Sequence, residues 1–325
     1  VTLMAAYHKD VGNDKDHIIV PDSAHGTNPA SAILAGYKVV TIPSDEKGMM
    51  DFNLFKEALN EKTAGVMLTC PNTLGVFNTR IKDICDAVHD VDGLMYYDGA
   101  NFNAIMGRYK PGEIGFDICH LNLHKSFATP HGGGGPGAGP VGVVSKLKPY
   151  LPVSRVEKTP DGNFILNYNE PKSIGYIAPF YGNFGILVRA YAYILSLGSN
   201  GLLGTSNRAV LNANYLQEKM RPLFGAPYRG RCMHEFVFSG EFLKEYERLN
   251  PEDVIDTLDL WSMTLPPFSG EVIDTKYRIM HGEKVSQGKK SEWNKIVELF
   301  NQFNSADKYV FSVPMWNFGI PYRLK

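Results

Sequence analysis

The chain predicts an α/β fold built on a mostly parallel sheet, and three observations predict it. Runs such as 94–97 (LMYY) and 118–123 (ICHLNL) are too apolar for strands with one wet face, so they read as strands buried on both faces. Strand and helix patterns alternate about every twenty to thirty residues, which right-handed crossovers turn into loops gathered along one sheet edge. Chemistry-bearing residues then fall where such an edge would be. Asp98 ends the first run, Lys125 ends the second, and four consecutive glycines follow at 132–135. In open α/β sheets, ligands bind at the carboxyl ends of the strands.

Each element can be justified in turn. Residues 1–9 read as a helix, and 17–21 as a short strand whose end carries the loop Asp22-Ser23-Ala24-His25-Gly26. Residues 28–36 follow as a helix with Pro29 in its first turn. His25 either caps that turn or faces a ligand. The next strand is 38–43, and 52–59 is a helix with apolar positions at 52, 55 and 59. Residues 65–70 make a further strand, running into Pro71-Asn72-Thr73-Leu74-Gly75, where Thr69 and Asn72 either touch a ligand or shape the turn. Ile81, Ile84, Cys85 and Val88 form the buried stripe of a helix. Beyond Gly142 the character changes. Residues 163–168 and 173–176 predict a hairpin, 185–197 and 205–220 two helices, and 232–238 (CMHEFVF) a strand. His234 and Glu235 lack metal-ligand spacing with any neighbour, so no metal is expected.

An Asp-Gly after a strand is by itself turn chemistry, and a lysine before polar residues is by itself a solvated side chain. A glycine run beside that lysine has an entropic cost that a plain surface loop has no reason to carry. Paired with Asp98, the arrangement suits pyridoxal phosphate. Lys125 would form the Schiff base, and Asp98 would keep the pyridine nitrogen protonated so that the ring withdraws electrons.

Composition excludes other classes. The chain has 325 residues, 44% hydrophobic and 21% charged, with a net charge of −1. That is ordinary globular composition, long enough for one or two domains, with no polyanion-binding surface, and no nucleic-acid partner is expected. Four cysteines without CxxC spacing sit in apolar runs and read as reduced, buried thiols of an intracellular, cytoplasmic protein. No leader and no long apolar span are evident, so no membrane is expected. The chain opens inside what reads as a helix, and its N-terminus is expected to be cut.

Four stretches sharpen the reading: DSAHGTNPASA (22–32), LTCPNTLGVF (68–77), YYDGANFNAIMG (96–107) and LNLHKSFATPHGGGGPGAGPVGV (121–143). In this order they resemble the signatures of glycine cleavage system P proteins, the decarboxylating glycine dehydrogenases, in the subunit 2 form or the C-terminal half of the single-chain form. The resemblance runs to about residue 239. It implies the large domain of a fold-type I pyridoxal phosphate transferase, and decarboxylation of glycine with transfer of the aminomethyl group to the lipoyl arm of H protein. It implies Lys125, His25, Asp98 and His124 as catalytic residues, His25 stacking on the pyridine ring. It implies Lys125, Asp98, His25, Thr69, Asn72 and Asn101 as cofactor contacts. The partners it implies are glycine, lipoylated H protein, a subunit 1 and a second copy of this chain, in a heterotetramer. The glycine- and alanine-rich phosphate-contacting segment that precedes residues 1–9 in the family is expected to be lacking. Another pyridoxal enzyme, a decarboxylase or desulfurase, fits Asp98 and Lys125 but not the full motif set.

Residues 240–277 and 305–325 resemble a different family, the FMN-dependent NADH-azoreductases of flavodoxin-like fold. In that family the segment matching Pro314, Met315, Trp316, Asn317 and Phe318 wraps the flavin ring. The first strand and serine-rich phosphate loop of that family are missing, and only 254–260 and 308–313 read as strands. FMN chemistry is therefore not expected. The division predicted is 1–239, a glycine decarboxylase-like domain, and 240–325, a partial flavodoxin-like segment. A flavin-dependent azo or quinone reductase and an inactive chimera are the rival readings.

Overall fold

The computed structural model describes residues 1–178, 181–222, 227, 228, 230–238, 242–256 and 269–306. The chain divides into two compact units, Val1–Glu245 and Tyr246–Lys325.

In the first unit, helix α1 (Thr2–Asp10) leads to strand β1 (His17–Pro21), helix α2 (Thr27–Leu34) and strand β2 (Lys38–Ile42). Helix α3 (Phe52–Ala58) is capped by Asp51, whose carboxylate accepts from Asn53 N at 2.8 Å and Leu54 N at 3.0 Å. Strand β3 (Thr63–Thr69), helix α4 (Ile81–Asp90) and strand β4 (Leu94–Gly99) follow. Helix α4 buries the stripe Ile81, Ile84, Cys85 and Val88 as its spacing predicts. Next come a 3-10 turn at Phe102–Ala104, helix α5 (Pro111–Ile114), strand β5 (Ile118–Leu121), helix α6 (Leu123–Ser126) and strand β6 (Val141–Val143). Among the described residues the main sheet has the order β2-β1-β3-β4-β5-β6, parallel throughout except for antiparallel β6.

Strands β1 and β3 are buried along their whole length, the mark of a parallel strand covered on both faces. Apolar clusters lie on each side of the sheet. One gathers Ile19, Phe55, Val66, Met95 and Tyr97 with the α4 stripe; the other gathers Met4, Ile18, Met67, Leu94 and Leu147. Each such side chain contributes roughly 1.5 to 3 kcal/mol on burial.

Several expectations are corrected. Lys125 does not end strand β5, which stops at Leu121; Asn122 O accepts from Lys125 N (3.1 Å), and the chain closes at once into the single turn α6. The partner of the 163–168 stretch is not 173–176. Strand β7 (Arg155–Lys158) pairs antiparallel with β8 (Phe164–Asn167), and 173–176 carries no strand. The two helices expected at 185–197 and 205–220 run on as α7 (Phe184–Met220), broken at Gly198, where φ is 59° and ψ −173°. By length and composition α7 is long and apolar enough to cross a membrane, which corrects the expectation of no long apolar span. The first part of α7 packs on α6: Ile186 and Ala190 share a cluster with Met106, Leu123 and Phe127. Residues 232–238 form no strand. Their backbone is served by the Gly75 turn and by the side chain of Asn214, so they lie as an extended strap.

Helix α8 (Phe242–Leu249) follows the strap. In the second unit, α9 (Gly270–Met280) buries Val272 and Thr275 and packs with α10 (Gln287–Asn304). Of the strand expected at 254–260, residues 254–256 carry none and the remainder lies outside the described residues. The strand at 308–313 and the flavin-ring segment 314–318 also lie outside them.

Candidate functional site

The site is assembled at the carboxyl ends of β1, β3, β4 and β5. Asp98 is the penultimate residue of β4, 7% exposed, and directly opposite Thr69 of β3 and His120 of β5 in register. Its Oδ2 accepts from Thr69 Oγ1 and from Asn28 Nδ2, both at 3.2 Å, and its Oδ1 accepts from Ala100 N at 3.0 Å. His120 Nδ1 stands 3.9 Å from Oδ1. Burial holds the His120 imidazole below its ordinary pKa, against the pull of Asp98. The hydrogen bonds to Asp98 thus come from neutral donors, which fix its direction.

Lys125 lies on the α6 turn, partly buried. Burial lowers its pKa, while Asp98 and Glu235 pull the other way. Its neighbour His124 is lowered by burial and then by His131, Lys125 and His120. The His124 and His131 rings meet edge to face with centroids 4.6 Å apart. After α6 the chain enters the glycine run. Gly132, Gly133 and Gly134 have φ of 63°, 66° and 115°, a sequence of left-handed residues that side chains would oppose.

The remaining expected residues fall into two groups. Asn101 is buried, and its Nδ2 donates to Pro71 O (3.0 Å), Asn72 O (3.0 Å) and Glu235 Oε1 (2.8 Å). His25 sits in the loop after β1 and accepts from Thr27 N at 3.2 Å; Asn28, at the start of α2, reaches Asp98. Thr69 serves Asp98, as above. Asn72 is engaged in its own turn: Oδ1 accepts from Leu74 N and Val76 N, and Nδ2 donates to Gly48 O at 2.6 Å. Of the two alternatives open for Asn72, the structure shows turn chemistry.

Two residues considered from the sequence only as metal ligands, and given no role there, join the site. His234 and Glu235 come in on the strap, Glu235 lying 134 residues beyond Asn101. Burial, then Lys125, pushes His234 down to about 4. Burial raises Glu235, partly offset by Asn101 and Lys125. Their adjacency in the sequence was visible; their destination was not, because a strap carries no periodicity.

Buried polar atoms without a partner gather here. Ser23 Oγ, His120 Nδ1, His124 Nδ1, Ser126 Oγ, Thr129 Oγ1 and His234 Nδ1 all lie on the strand ends, loops and strap of this edge. Each such atom costs roughly 1 to 3 kcal/mol unless something satisfies it. A lysine, a fixed carboxylate and hydroxyl and imidazole groups with bonds still to make fit an anionic aromatic aldehyde such as pyridoxal phosphate. Among the described residues no cluster has the composition of a metal site.

Known proteins resemble the chain in two blocks. A family model described as aminotransferase class-V matches residues 1–135, and one described as flavodoxin-like fold matches 224–325. "Probable glycine dehydrogenase (decarboxylating) subunit 2" of Bacillus cereus (strain ATCC 10987 / NRS 248) is 52% identical over 244 residues, covering 75% of this chain and 50% of that protein. The protein of the same description from Exiguobacterium sibiricum is 56% identical over 239 residues, covering 73% and 48%. The chain spans about half the length of the curated relatives it matches. Among solved structures, an inhibitor-bound glycine decarboxylase (P-protein) of the glycine cleavage system aligns with a TM-score of 0.57 at 18% identity, covering 73% of this chain and 56% of that one. A sphingosine-1-phosphate lyase of Burkholderia pseudomallei aligns at 0.52 and 18% identity, covering 71% and 53%. The first unit therefore has the fold of the fold-type I transferases. In sequence it is similar to glycine dehydrogenase (decarboxylating) subunit 2.

Proposed function

We propose that residues 1–239 are the pyridoxal phosphate-binding core of a glycine-decarboxylating enzyme, and that 240–325 are a separate, partial flavodoxin-like segment. One observation carries the reading: Lys125 and Asp98 lie at one sheet edge amid six buried polar atoms whose hydrogen bonds are unmade. The 52% identity to proteins described as glycine dehydrogenases supports glycine as substrate. By the same reading the chain works with lipoylated H protein, a subunit 1 and a second copy of itself, in the cytoplasm.

Lys125 would hold the cofactor covalently, with Asp98 at its ring nitrogen and His25 against its face. When bound, the pyridoxal ring supplies an electron sink for the carbon that loses CO2. Everything else falls to the chain. Asn28, Thr69 and Ala100 N keep Asp98 aimed. Burial keeps the Lys125 amine closer to its reactive neutral form than a solvated lysine would be. His124, held toward neutrality, can accept a proton through an imidazole nitrogen, and His25 is the second candidate carrier. The glycine run lets a substrate or a lipoyl arm come close to the backbone.

Borohydride reduction of the chain incubated with pyridoxal phosphate, followed by peptide mapping, tests this. The pyridoxyl label is expected on Lys125. A label on Lys110 or Lys146, or unchanged labelling in Lys125→Ala, would sink the assignment. The flavodoxin-like match over 224–325 favours a second reading, an FMN-dependent oxidoreductase. Saturable FMN binding with NADH-driven dye reduction that vanishes in Asn317→Ala would promote it.

A further inference from the structure

The single turn α6 carries Lys125, and so short a helix does not hold itself together in water. It closes with Lys125 N donating to Asn122 O (3.1 Å) and Phe127 N to Leu123 O (2.9 Å). The chain then leaves through Ala128 at a φ of +54°, the left-handed exit where helices usually place a glycine. An alanine there crowds its Cβ against the following carbonyl oxygen, a strain that persists only when the surroundings hold it. Helix α7 supplies the hold. Leu123 and Phe127 pack with Ile186 and Ala190, and Arg189, next to Ala190, donates from Nε to Ala128 O at 2.7 Å. Beyond the break at Gly198 the same helix reaches the turn that follows Asp98, where the buried Ser206 donates from Oγ to Asn103 O at 2.8 Å. One helix is thus bonded to both loops, that of the lysine and that of the aspartate.

We propose that Arg189 is a positioning residue for Lys125: its bond to Ala128 O holds α6 in the left-handed exit, so that the lysine is presented at a fixed place on the edge it shares with Asp98. The apolar contacts of Leu123 and Phe127 keep the turn against α7, but such contacts have no direction. A hydrogen bond to one carbonyl does have direction, and it fixes how the turn is rotated. Without it Ala128 relaxes to a negative φ, and the turn that ends three residues after Lys125 rotates with it. A reacting group displaced by about 1 Å loses roughly 10²-fold in rate, so a pin on this turn bears on the chemistry without touching the reacting atoms. The proposal rests on the pyridoxal reading for why the lysine's placement matters, but the pin itself belongs to the cofactor-free chain.

The test is hydrogen–deuterium exchange in the full, cofactor-free chain, read by mass on a peptide spanning 123–129 and on one from β3. Arg189→Met keeps the apolar stem and removes the donor. Exchange in 123–129 should become roughly tenfold faster while the β3 peptide is unchanged. Adding Ala128→Gly, whose left-handed exit carries no strain, should bring exchange back to within about threefold of the parent. An arginine that merely supported the fold would not be rescued at position 128. Unchanged exchange in Arg189→Met overturns the proposal, and so does an acceleration that the added glycine leaves in place. If Arg189→Met does not fold, Ala128→Gly alone should slow exchange in 123–129 about threefold, and unchanged or faster exchange there is equally fatal. With pyridoxal phosphate added, the initial rate of borohydride-trapped labelling at Lys125 should fall roughly tenfold in Arg189→Met and recover in the double variant. The outcomes separate from those of the function. Exchange that responds as stated, with no pyridoxyl label even in the parent, would refute the pyridoxal reading alone. A parental labelling rate at Lys125 in Arg189→Met would refute this inference alone.

Discussion

Two buried aspartates sit at opposite ends of the same part of the sheet, and their surroundings differ in one decisive respect. Asp117, 4% exposed, precedes β5; Asp98, 7% exposed, is near the end of β4. Asp117 accepts from Met95 N (2.8 Å), His89 Nε2 (2.9 Å) and Lys146 Nζ (2.9 Å). Burial alone would raise its pKa, but His89, the Met95 amide and Lys146 together hold it below the usual carboxylate range. Asp98 is gripped by an amide, a hydroxyl and a backbone N–H. The first carboxylate has its charge answered inside the fold. The second has its direction fixed by uncharged donors, with His120 Nδ1 3.9 Å from its Oδ1. Burial is nearly equal, so burial does not distinguish the two carboxylates. The chemistry of the donors does.

The largest expected effect falls on Asp98. Asp98→Asn can keep an acceptor for Ala100 N, puts a donor amide where Oδ2 accepted from Thr69 and Asn28, and deletes the charge. Glycine decarboxylation or exchange should fall roughly 10²- to 10³-fold, as when one preorganised electrostatic group is lost. The melting transition should stay cooperative. Full activity in this variant would erase the distinction drawn between the two aspartates.

Asp117→Ala should do the reverse. It leaves the Met95 amide, the His89 ring and the Lys146 ammonium without their partner, a loss of about 2 to 3 kcal/mol by urea unfolding. Pyridoxal binding should be retained below the transition. The effect carries a pH signature. The folded carboxyl lies below its unfolded value of about 3.9, so the stabilisation is present above that pH and lost as pH falls through it toward the folded value. The gap between parent and variant should close on acidification in that window. A gap that widened would contradict the assignment.

The smallest effect concerns the apolar core between the two ends. Burial pushes the Cys70 and Cys85 thiols up to about 12, so at neutral pH only about one molecule in 10⁵ carries either as thiolate. Iodoacetamide should leave both unmodified in the native chain and modify both after denaturation. Rapid native alkylation of Cys70 would mean that the wall between the aspartates is wet.

Much of the site was legible in the sequence because its parts are local. An apolar run ending in Asp98, a second ending near Lys125 and a glycine run are short-range patterns, and sheet topology turns strand ends into one edge without further instruction. The α4 stripe and the parallel order followed from period and alternation in the same way. What the sequence alone left undecided were matters of pairing across distance. It placed a strand at 232–238, since a short, mostly apolar stretch looks alike whether it enters a sheet or crosses a loop; the hydrogen bonds of Met233 and Cys232 decided for a strap. It paired 163–168 with its downstream neighbour, whereas β7 lay upstream. It put a loop after residue 197, whereas a single left-handed glycine breaks α7 and the helix resumes. It gave Asn72 to a turn or a ligand, and the bonds to Leu74, Val76 and Gly48 chose the turn. Most of all, nothing local in Asp98 and Asp117 distinguishes them. Local order is written in neighbouring residues, but the partners of a buried charge come from across the sheet, and only the packed fold brings them together.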